Sequence, residues 1–221
     1  MSGRTQLTLS AIQSGLRGRE PLVLPTDGGG RAAVAAILQE VPRPGAAGVR
    51  ADAGDPGDAG ARPLRMLFIE RATRADDPWS GRIAFPGGMA EPGDAGIRAT
   101  AERETREEVG LDLTPAEILS RLDDVEGAAP GYERLVVSAF VYHVDQPPAL
   151  TLNHEVRDAL WVPVHGLLDA AHHVPYYWPR EQRESHYPGI VVGHPERQVV
   201  WGLTYRFLEL FFDALGLPLR R

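Results

Sequence analysis

Short hydrophobic runs, separated by polar and turn-forming stretches, predict a series of strands along this chain. Aliphatic, β-branched and aromatic residues dominate these runs, which is typical of buried strands. The predicted strands are Arg31–Leu38, Met66–Glu70, Leu135–Val144, Ala159–Val164, Ile190–Val192 and Gln198–Trp201. The alanines of the first run also fit a helix, and the last two runs flank a Gly-His-Pro-Glu-Arg stretch that is typical of a hairpin turn.

Three other segments have the residue spacing of helices. Thr5–Arg17 carries apolar residues at a loose helical period, and Leu203–Leu215 is a strongly apolar closing helix. Ala95–Val109 has no proline and is rich in Ala, Glu and Arg, with Asp94 placed to cap its start and Gly110 to end it. Because strands and helices mix without a regular βαβ rhythm, the sequence predicts an α+β or sandwiched α/β/α domain.

The stretch Pro42–Pro63 lies between the first two predicted strands and is built mainly of Pro, Gly, Ala and Asp. It has too little apolar mass to pack, so we expect a mobile loop. Met66–Glu70 is then expected to pair with Arg31–Leu38 across it. We interpret the loop as a tolerated insertion rather than a functional element. A second irregular stretch, Asp76–Gly88, is rich in turn-forming residues.

The amino-acid composition excludes several kinds of active site and binding surface. The chain has 221 residues and a net charge of −7, which favours one domain and argues against broad nucleic-acid or membrane-surface binding. It has neither cysteine nor lysine. Cysteine nucleophiles, Cys-type zinc sites, Walker A lysines and Schiff-base lysines are therefore excluded. Since no apolar run approaches the roughly 20 residues that span a bilayer and no secretory signal is visible, we expect a cytoplasmic protein.

Three carboxylates are the strongest indication of chemistry. On a helix, Glu104, Glu107 and Glu108 stand at i, i+3 and i+4 and project from one face. Such close like charges repel unless a cation lies between them, and Mg²⁺ or Mn²⁺, which prefer oxygen ligands, would supply that charge. Arg103 and Arg106 are placed to orient or neutralise part of the cluster. The alternative interpretation is a solvated helix face with ordinary i,i+4 ion pairs.

The residues around this helix favour the metal site, because Gly87–Leu111 resembles the Nudix box, Gly-x5-Glu-x7-Arg-Glu-U-x-Glu-Glu-x-Gly-U with U aliphatic. Its fixed positions are filled by Gly88, Asp94, Arg103, Glu104, Glu107, Glu108, Gly110 and Leu111. Asp94 stands where the box has Glu, the next spacer has eight residues rather than seven, and Thr105 replaces the aliphatic residue. We expect the Gly87–Gly88 turn to let backbone carbonyls approach the same ion.

The longer spacer, with Thr100–Ala101 before the Arg-Glu pair, resembles the coenzyme A pyrophosphatase branch of this family. Glu91 stands where that branch often has Asp. The upstream stretch Trp-Ser-Gly-Arg-Ile-Ala-Phe-Pro-Gly-Gly also resembles the branch, although Trp79 replaces a His and Arg82 replaces a Gln. Trp201–Thr204 is similar to its C-terminal end.

The resemblance implies an α/β (α+β) fold: a Nudix α/β/α sandwich with a mixed β-sheet over residues 31–215. Residues 1–30 would form an N-terminal extension and residues 216–221 a tail. The implied reaction is Mg²⁺- or Mn²⁺-dependent hydrolysis of a diphosphate linkage in a small nucleotide substrate, with coenzyme A or an acyl-CoA first. ADP-ribose, dinucleoside polyphosphates or other nucleotides are the alternative substrates. A non-catalytic nucleotide sensor is disfavoured because all three helix carboxylates remain, and a homodimer is left open.

By the same resemblance, Glu107 and Glu108 are metal ligands, and Glu104 is either a ligand or the general base. Arg103 is expected to brace these carboxylates. Planar guanidinium groups suit a diphosphate. The candidate substrate-binding residues are Arg71, Trp79 and Arg82.

Weaker candidates lie outside the box. Asp123, Asp124 and Glu126 either add a metal ligand or form a solvated turn, and Glu155 is another candidate ligand. His172–His173 is expected to lie in a surface loop rather than to bind metal. The aromatic residues Tyr176, Tyr177 and Trp178 either stack on a base or pack in a loop. Arginines available for the 3′-phosphate of coenzyme A are Arg82, Arg180, Arg183 and Arg197.

Overall fold

The hydrophobic runs of the sequence lie largely in strands and helices of the computed structural model. It describes residues 7–26, 29–41, 62–74, 80–129, 132–177 and 186–219. The elements, in chain order, are α1 (Leu9–Leu16), β1 (Gly30–Glu40), β2 (Leu64–Arg71), β3 (Ile83–Ala84), β4 (Gly87–Met89), α2 (Ile97–Val109), β5 (Glu117–Arg121), β6 (Val125–Ala129), β7 (Tyr132–Val144), β8 (Val156–Pro163), β9 (His173–Tyr176), β10 (Tyr187–Val191), β11 (Val199–Val200) and α3 (Gly202–Ala214). Two 3-10 helices, Val164–Leu168 and Ala170–His172, join β8 to β9.

Strands β1 to β8 form one mixed sheet, whose main path runs β3-β2-β1-β7-β5. Strand β1 is central: it runs parallel to β7 from Gly30↔Leu135 to Gln39↔Val144 and antiparallel to β2 and β4. Strands β9, β10 and β11 form a smaller antiparallel sheet. The predicted pairing of the first two strands and the predicted hairpin between β10 and β11 are therefore confirmed.

The large sheet lies between two hydrophobic cores, because alternate residues of its strands point to opposite faces. One core holds α1 and α3, and the other holds α2. The alanines Ala33 and Ala35 of β1 are fully buried on the α2 side, where their small side chains let the helix lie close to the sheet. The predicted α/β/α arrangement is confirmed.

The segment before β1 packs on the same cores. Helix α1 begins after Thr8, whose hydroxyl accepts the N–H of Ala11 at 3.1 Å, and it buries Ile12 and Leu16. Further along, the N–H of Leu24 donates to the buried Asp124 at 3.0 Å. The residues from α1 to β1 are thus tied to the large sheet.

Three further expectations concern the loop after β1, membrane-spanning helices and the end of α2. The predicted loop Pro42–Pro63 lies, except for its last two residues, outside the described residues. Across the described ranges, no helix is long and apolar enough to cross a membrane. At the end of α2, Gly110 has a φ of 70° and its N–H donates to the carbonyl of Arg106, so the predicted helix stop is confirmed.

Candidate active site

The site is built where strand β4 passes beneath helix α2. The Glu108 side chain points inward, is 2% exposed and accepts the N–H of Gly87 at 2.8 Å. Gly87 has a φ of 152°, and a Cβ there would lie 2.2 Å from the carbonyl oxygen of Ala33. A Cβ at Gly88 would lie 2.5 Å from the carboxylate carbon of Glu104. Both glycines therefore let the carboxylates approach the strand, and the contact from this turn is an N–H to a carboxylate.

Burial dominates the electrostatics of these acids. Loss of hydration raises the pKa of Glu108 to about 8, and the nearby charges of Glu104 and Glu155 act in the same direction. Arg71 opposes them, with its Nη1 4.0 Å from Oε1 of Glu108. Burial also raises the pKa of Glu104. Two carboxylates of α2 are thus poorly hydrated, and the more exposed Glu155 lies close enough to add to their repulsion.

Arg103 braces this face of α2. Its Nη1 donates to Glu104 at 2.9 Å and to Glu107 at 3.1 Å. Its Nη2 donates to the carbonyl of Met89 at 3.0 Å, and its Nε donates to Asp94 at 2.9 Å. One planar guanidinium therefore fixes the loop before the helix relative to two of its carboxylates.

Asp94 does not cap α2, and that prediction is wrong. The helix begins at Ile97 after Gly96, and the cap position makes no side-chain hydrogen bond. Gly96 has a φ of 148°, a conformation that favours glycine, and the Asp94 carboxylate two residues earlier reaches over the first turn instead. There it accepts hydrogen bonds from Arg103 and from the hydroxyl of Thr100 at 2.8 Å. The bonds from Arg103 hold the pKa of Asp94 well below its usual range.

Asp94→Asn tests whether this anchor matters for turnover. The substitution keeps the size of the side chain and removes its charge, so Arg103 loses its strongest partner. A charge-assisted hydrogen bond contributes about 1.5–3 kcal/mol, so we expect kcat to fall about tenfold or more. Steady-state kinetics against the exposed-site control Asp112→Asn measure the effect. Equal kcat values for the two variants would contradict a positioning role for Asp94.

Glu155 is the candidate acid outside α2 that the fold brings to the site. The loop before β8 packs on the end of α2, where the N–H of Asn153 donates to the carbonyl of Glu108 at 3.0 Å. The Asn153 side chain in turn accepts the N–H of Glu155 at 2.8 Å. Glu155 also lies 3.4 Å from Nη1 of Arg74. These contacts hold its carboxylate close enough to Glu104 and Glu108 to influence the pKa of both.

The acidic run after β5 has structural partners instead. Asp124 is buried and contacts Arg31 and Arg121 at 3.0 and 2.8 Å. Asp123 lies 3.6 Å from Arg19. Glu126 pairs with Arg134. These ion pairs tie neighbouring segments of the fold together, so the run does not join the α2 carboxylates.

The donor set suits a hard divalent cation, because Glu104, Glu108 and Glu155 are crowded carboxylates whose mutual repulsion a cation would relieve. Within the part of the chain that the structure describes, no three acidic or His side chains converge as a ready metal site. The Nη1 of Arg103 contacts both Glu104 and Glu107. The carboxylate chemistry fits the ion, and the space between two of the acids is held by a guanidinium.

The predicted substrate-binding residues separate into two places. Arg71 lies beside Glu108, whereas the guanidinium of Arg82 lies 4.3 Å from the ring centre of Trp201. Tyr176 stacks on the same indole at 4.5 Å. Arg197 pairs with the buried Glu70 at 3.0 Å. Outside the described residues lie Trp79, Trp178, Arg180 and Arg183.

The side chains of His172 and His173 contact backbone carbonyl groups. A ring nitrogen of His172 lies 2.9 Å from the carbonyl of Gly166, and one of His173 lies 2.9 Å from the carbonyl of Leu167. These contacts fix the turn between β8 and β9.

Sequence reasoning missed Trp201 as a partner of Arg82, although the resemblance of Trp201–Thr204 to a family segment was a signal that this indole has a role.

Comparison of the sequence with known protein families identifies the family of this chain. The NUDIX domain family profile matches residues 46–181, more than half of the chain. The chain belongs to the Nudix family. Its relatives include Nudix hydrolases, so the predicted enzyme class is confirmed.

Three relatives illustrate how far this Nudix similarity extends. An uncharacterised Schizosaccharomyces pombe protein is 38% identical over 108 residues, which cover 47% of this chain but 33% of that protein. An uncharacterised Nudix hydrolase, NudL, of Yersinia enterocolitica is 27% identical over 146 residues, covering 65% of this chain and 70% of NudL. The crystal structure of a MutT/nudix family protein from Enterococcus faecalis covers 96% of this chain and 71% of its own, with 14% identity and a TM-score of 0.53. The last comparison supports the fold alone.

Proposed function

We propose that this Nudix protein hydrolyses the diphosphate linkage of coenzyme A or an acyl-CoA with the help of Mg²⁺ or Mn²⁺. The products from coenzyme A would be adenosine 3′,5′-bisphosphate and phosphopantetheine. The observation that carries the proposal is the pair of carboxylates on the inner face of α2, Glu104 and Glu108, which lie against β4 and close to Glu155. Poorly hydrated carboxylates that repel each other lower the stability of the folded protein, and such groups are typical of functional sites.

Glu107 and Glu108 would hold the ion, with Glu155 as an additional ligand and Glu104 as either a ligand or the general base. A bound divalent cation neutralises charge on the diphosphate and lowers the pKa of a coordinated water. The Nη1 of Arg103 contacts one oxygen each of Glu104 and Glu107, so an ion at these acids would use their other oxygens. The Nε and Nη2 of the same guanidinium contact Asp94 and the carbonyl of Met89.

Hydrolysis forms a bond from a water oxygen to phosphorus, breaks the bridging P–O bond and releases one proton from the water. If Glu104 is not a ligand of the ion, we assign this proton to its carboxylate. Its side chain is 15% exposed, and burial raises its pKa, which makes it a better acceptor than an exposed carboxylate. Arg71, which lies beside Glu108, would contact the diphosphate oxygens through its planar fork.

Support for coenzyme A comes from two segments that resemble the coenzyme A pyrophosphatase branch. They are far apart in the sequence, yet the guanidinium of Arg82 in one lies 4.3 Å from the ring centre of Trp201 in the other. The two segments therefore meet in the fold, although Arg82 itself is a position at which the chain departs from the branch.

The substrate assignment is tested with a panel of diphosphates. The protein is incubated with Mg²⁺ or Mn²⁺ and, separately, coenzyme A, acetyl-CoA, ADP-ribose and a dinucleoside tetraphosphate, and the products are identified by mass. We expect adenosine 3′,5′-bisphosphate from both coenzyme A compounds. Rapid cleavage of ADP-ribose or the dinucleoside compound, with coenzyme A untouched, would reject coenzyme A and retain the family reaction.

A further inference from the structure

A partly exposed arginine, Arg74, lies beside the candidate site on the segment that follows β2. Its side chain is 42% exposed, and its Nη1 lies 3.4 Å from Oε1 of Glu155. Within the described ranges this carboxylate is the partner of the guanidinium, so its Nε and Nη2 make no hydrogen bond to those residues. A guanidinium has five N–H donors in one plane. Arg74 therefore has donors left for a ligand, next to an acid of the site.

The backbone that carries Arg74 is fixed by three hydrogen bonds. The N–H of Ala72 donates to the carbonyl of Glu155 at 2.7 Å. The N–H of Arg74 donates to the hydroxyl of Ser80, which in turn donates to the carbonyl of Ala72 at 3.3 Å. These bonds hold the end of β2 against the loop before β8, so the Arg74 side chain starts from a defined position beside the carboxylates.

Arg71 and Arg74 lie against two neighbouring acids of the site. The Nη1 of Arg71 lies 4.0 Å from Glu108, as that of Arg74 lies 3.4 Å from Glu155. The two carboxylates are close enough for the charge of Glu155 to contribute to the raised pKa of Glu108. The end of β2 thus presents two guanidinium groups to acids that would hold the ion.

The charges of this group predict an anionic ligand once the ion is bound. One divalent cation balances the two carboxylates of Glu108 and Glu155. The two arginines beside them then carry two positive charges, and the diphosphate of an X–P–P–nucleoside carries two negative ones. Arg74 is the more exposed of the two arginines, 42% against 28%, so it is the more open to a ligand that arrives from solvent.

We propose that Arg74 binds the diphosphate of the substrate through the nitrogens that Glu155 leaves free. This inference rests on the proposed function, to which it adds a substrate-binding residue, and it holds whatever group is joined to the diphosphate. Arg74 and His154 both lie nearest Oε1 of Glu155, at 3.4 and 3.9 Å, which leaves Oε2 for the ion. Glu155 would thus hold the arginine and the ion side by side, and planar guanidinium groups suit phosphate oxygens.

Binding without turnover tests the inference. Calorimetry with Mg²⁺ compares AMP with adenosine 5′-(α,β-methylene)diphosphate, whose bridging carbon prevents hydrolysis, on the wild type and on Arg74→Gln. We expect the variant to bind the methylene diphosphate about tenfold more weakly, as the loss of one charge-assisted hydrogen bond predicts. Its affinity for AMP should change less, because AMP lacks the second phosphate.

Arg62→Gln is the matched control. Arg62 precedes β2, is 52% exposed and lies 3.8 Å from Glu40, so it forms a comparable ion pair at the opposite end of the same strand. Its loss should leave both nucleotide affinities unchanged. Arg74→Lys keeps the charge but not the planar fork, so its affinity for the methylene diphosphate should lie between those of the wild type and Arg74→Gln.

Metal binding separates a substrate contact from mere support of Glu155. Mn²⁺ alone is titrated into the wild type and Arg74→Gln. If Arg74 binds the diphosphate, the variant should bind Mn²⁺ as tightly as the wild type or more tightly, because a positive charge beside the ion has been removed. If Arg74 only held Glu155 in place, the affinity for Mn²⁺ would fall.

The inference is overturned if the wild type does not bind the methylene diphosphate, or if Arg74→Gln binds it as tightly as the wild type. An equal loss for AMP, or a weaker affinity for Mn²⁺, would overturn it as well. If no diphosphate is hydrolysed but binding of the methylene diphosphate depends on Arg74, the proposed reaction fails and the binding residue stands.

Discussion

Glu108→Gln is expected to lower kcat by about a thousandfold or more while the protein stays folded. The substitution keeps the shape of the side chain and an oxygen for the N–H of Gly87, but it removes the charge that would hold the cation. Losing one preorganised electrostatic group in an active site typically costs 10²–10³ in rate, and a lost metal ligand also weakens the binding of the ion. We expect the same direction for Glu107→Gln.

The matched control is Glu102→Gln on the same helix. Glu102 lies 3.2 Å from Arg98 and accepts the hydroxyl of Tyr142 at 3.0 Å, away from the other acids. Steady-state rates with Mg²⁺ and with Mn²⁺, together with far-UV circular dichroism, separate a lost ligand from a lost fold. Near wild-type turnover in Glu108→Gln would show that the metal assignment is wrong.

The metal-free protein is expected to lose stability as pH rises from about 5 to 8, and Glu108 is the reason. Its pKa is about 8 in the fold against 4.5 for an ordinary glutamate. Between these values the unfolded chain has released the proton and the folded chain has retained it. The unfolded state therefore binds fewer protons, and the free energy of unfolding falls with pH.

Glu108→Gln should remove this part of the decline, so at pH 8 without metal the inactive variant should melt at a higher temperature than the wild type. Thermal unfolding in EDTA from pH 5 to 8.5 measures the difference, with Glu102→Gln as the control. Added Mg²⁺ should stabilise the wild type increasingly as pH rises, because ligands bind metal in their ionised form. A wild type and variant whose melting temperatures change in parallel would contradict the assigned pKa.

The long elements of this fold could be predicted because their sequence patterns are strong. Leu135–Val144 and Leu203–Leu215 carry enough consecutive apolar residues to indicate a buried strand and a buried helix. Strands β3, β4 and β11 contain two or three residues each, and the pairing partner rather than the local sequence defines them. Edge strand β5 is largely polar, with Glu117 and Ile118 exposed, so no hydrophobic run marks it.

In the candidate site, spacing alone placed Glu104, Glu107 and Glu108 on one helix face. The role of Asp94 could not be predicted, since it depends on the helix beginning only after Gly96, which has a φ of 148°. Arg82 and Trp201 are far apart in the sequence, so no local sequence pattern predicts that they are in contact. Sequence reasoning thus found the residues of the box and missed the partners that the fold supplies.

The central position of β1 also has a consequence for how the chain folds. Its parallel ladder joins Gly30 to Leu135 and Gln39 to Val144, so the middle of the large sheet closes a loop of about a hundred residues. Closing a loop of this length costs conformational entropy before the strands can pair, so this pairing is expected to slow folding. During synthesis, β7 emerges about a hundred residues after β1. Until then, the apolar residues of β1 can be buried only by elements made earlier, such as β2.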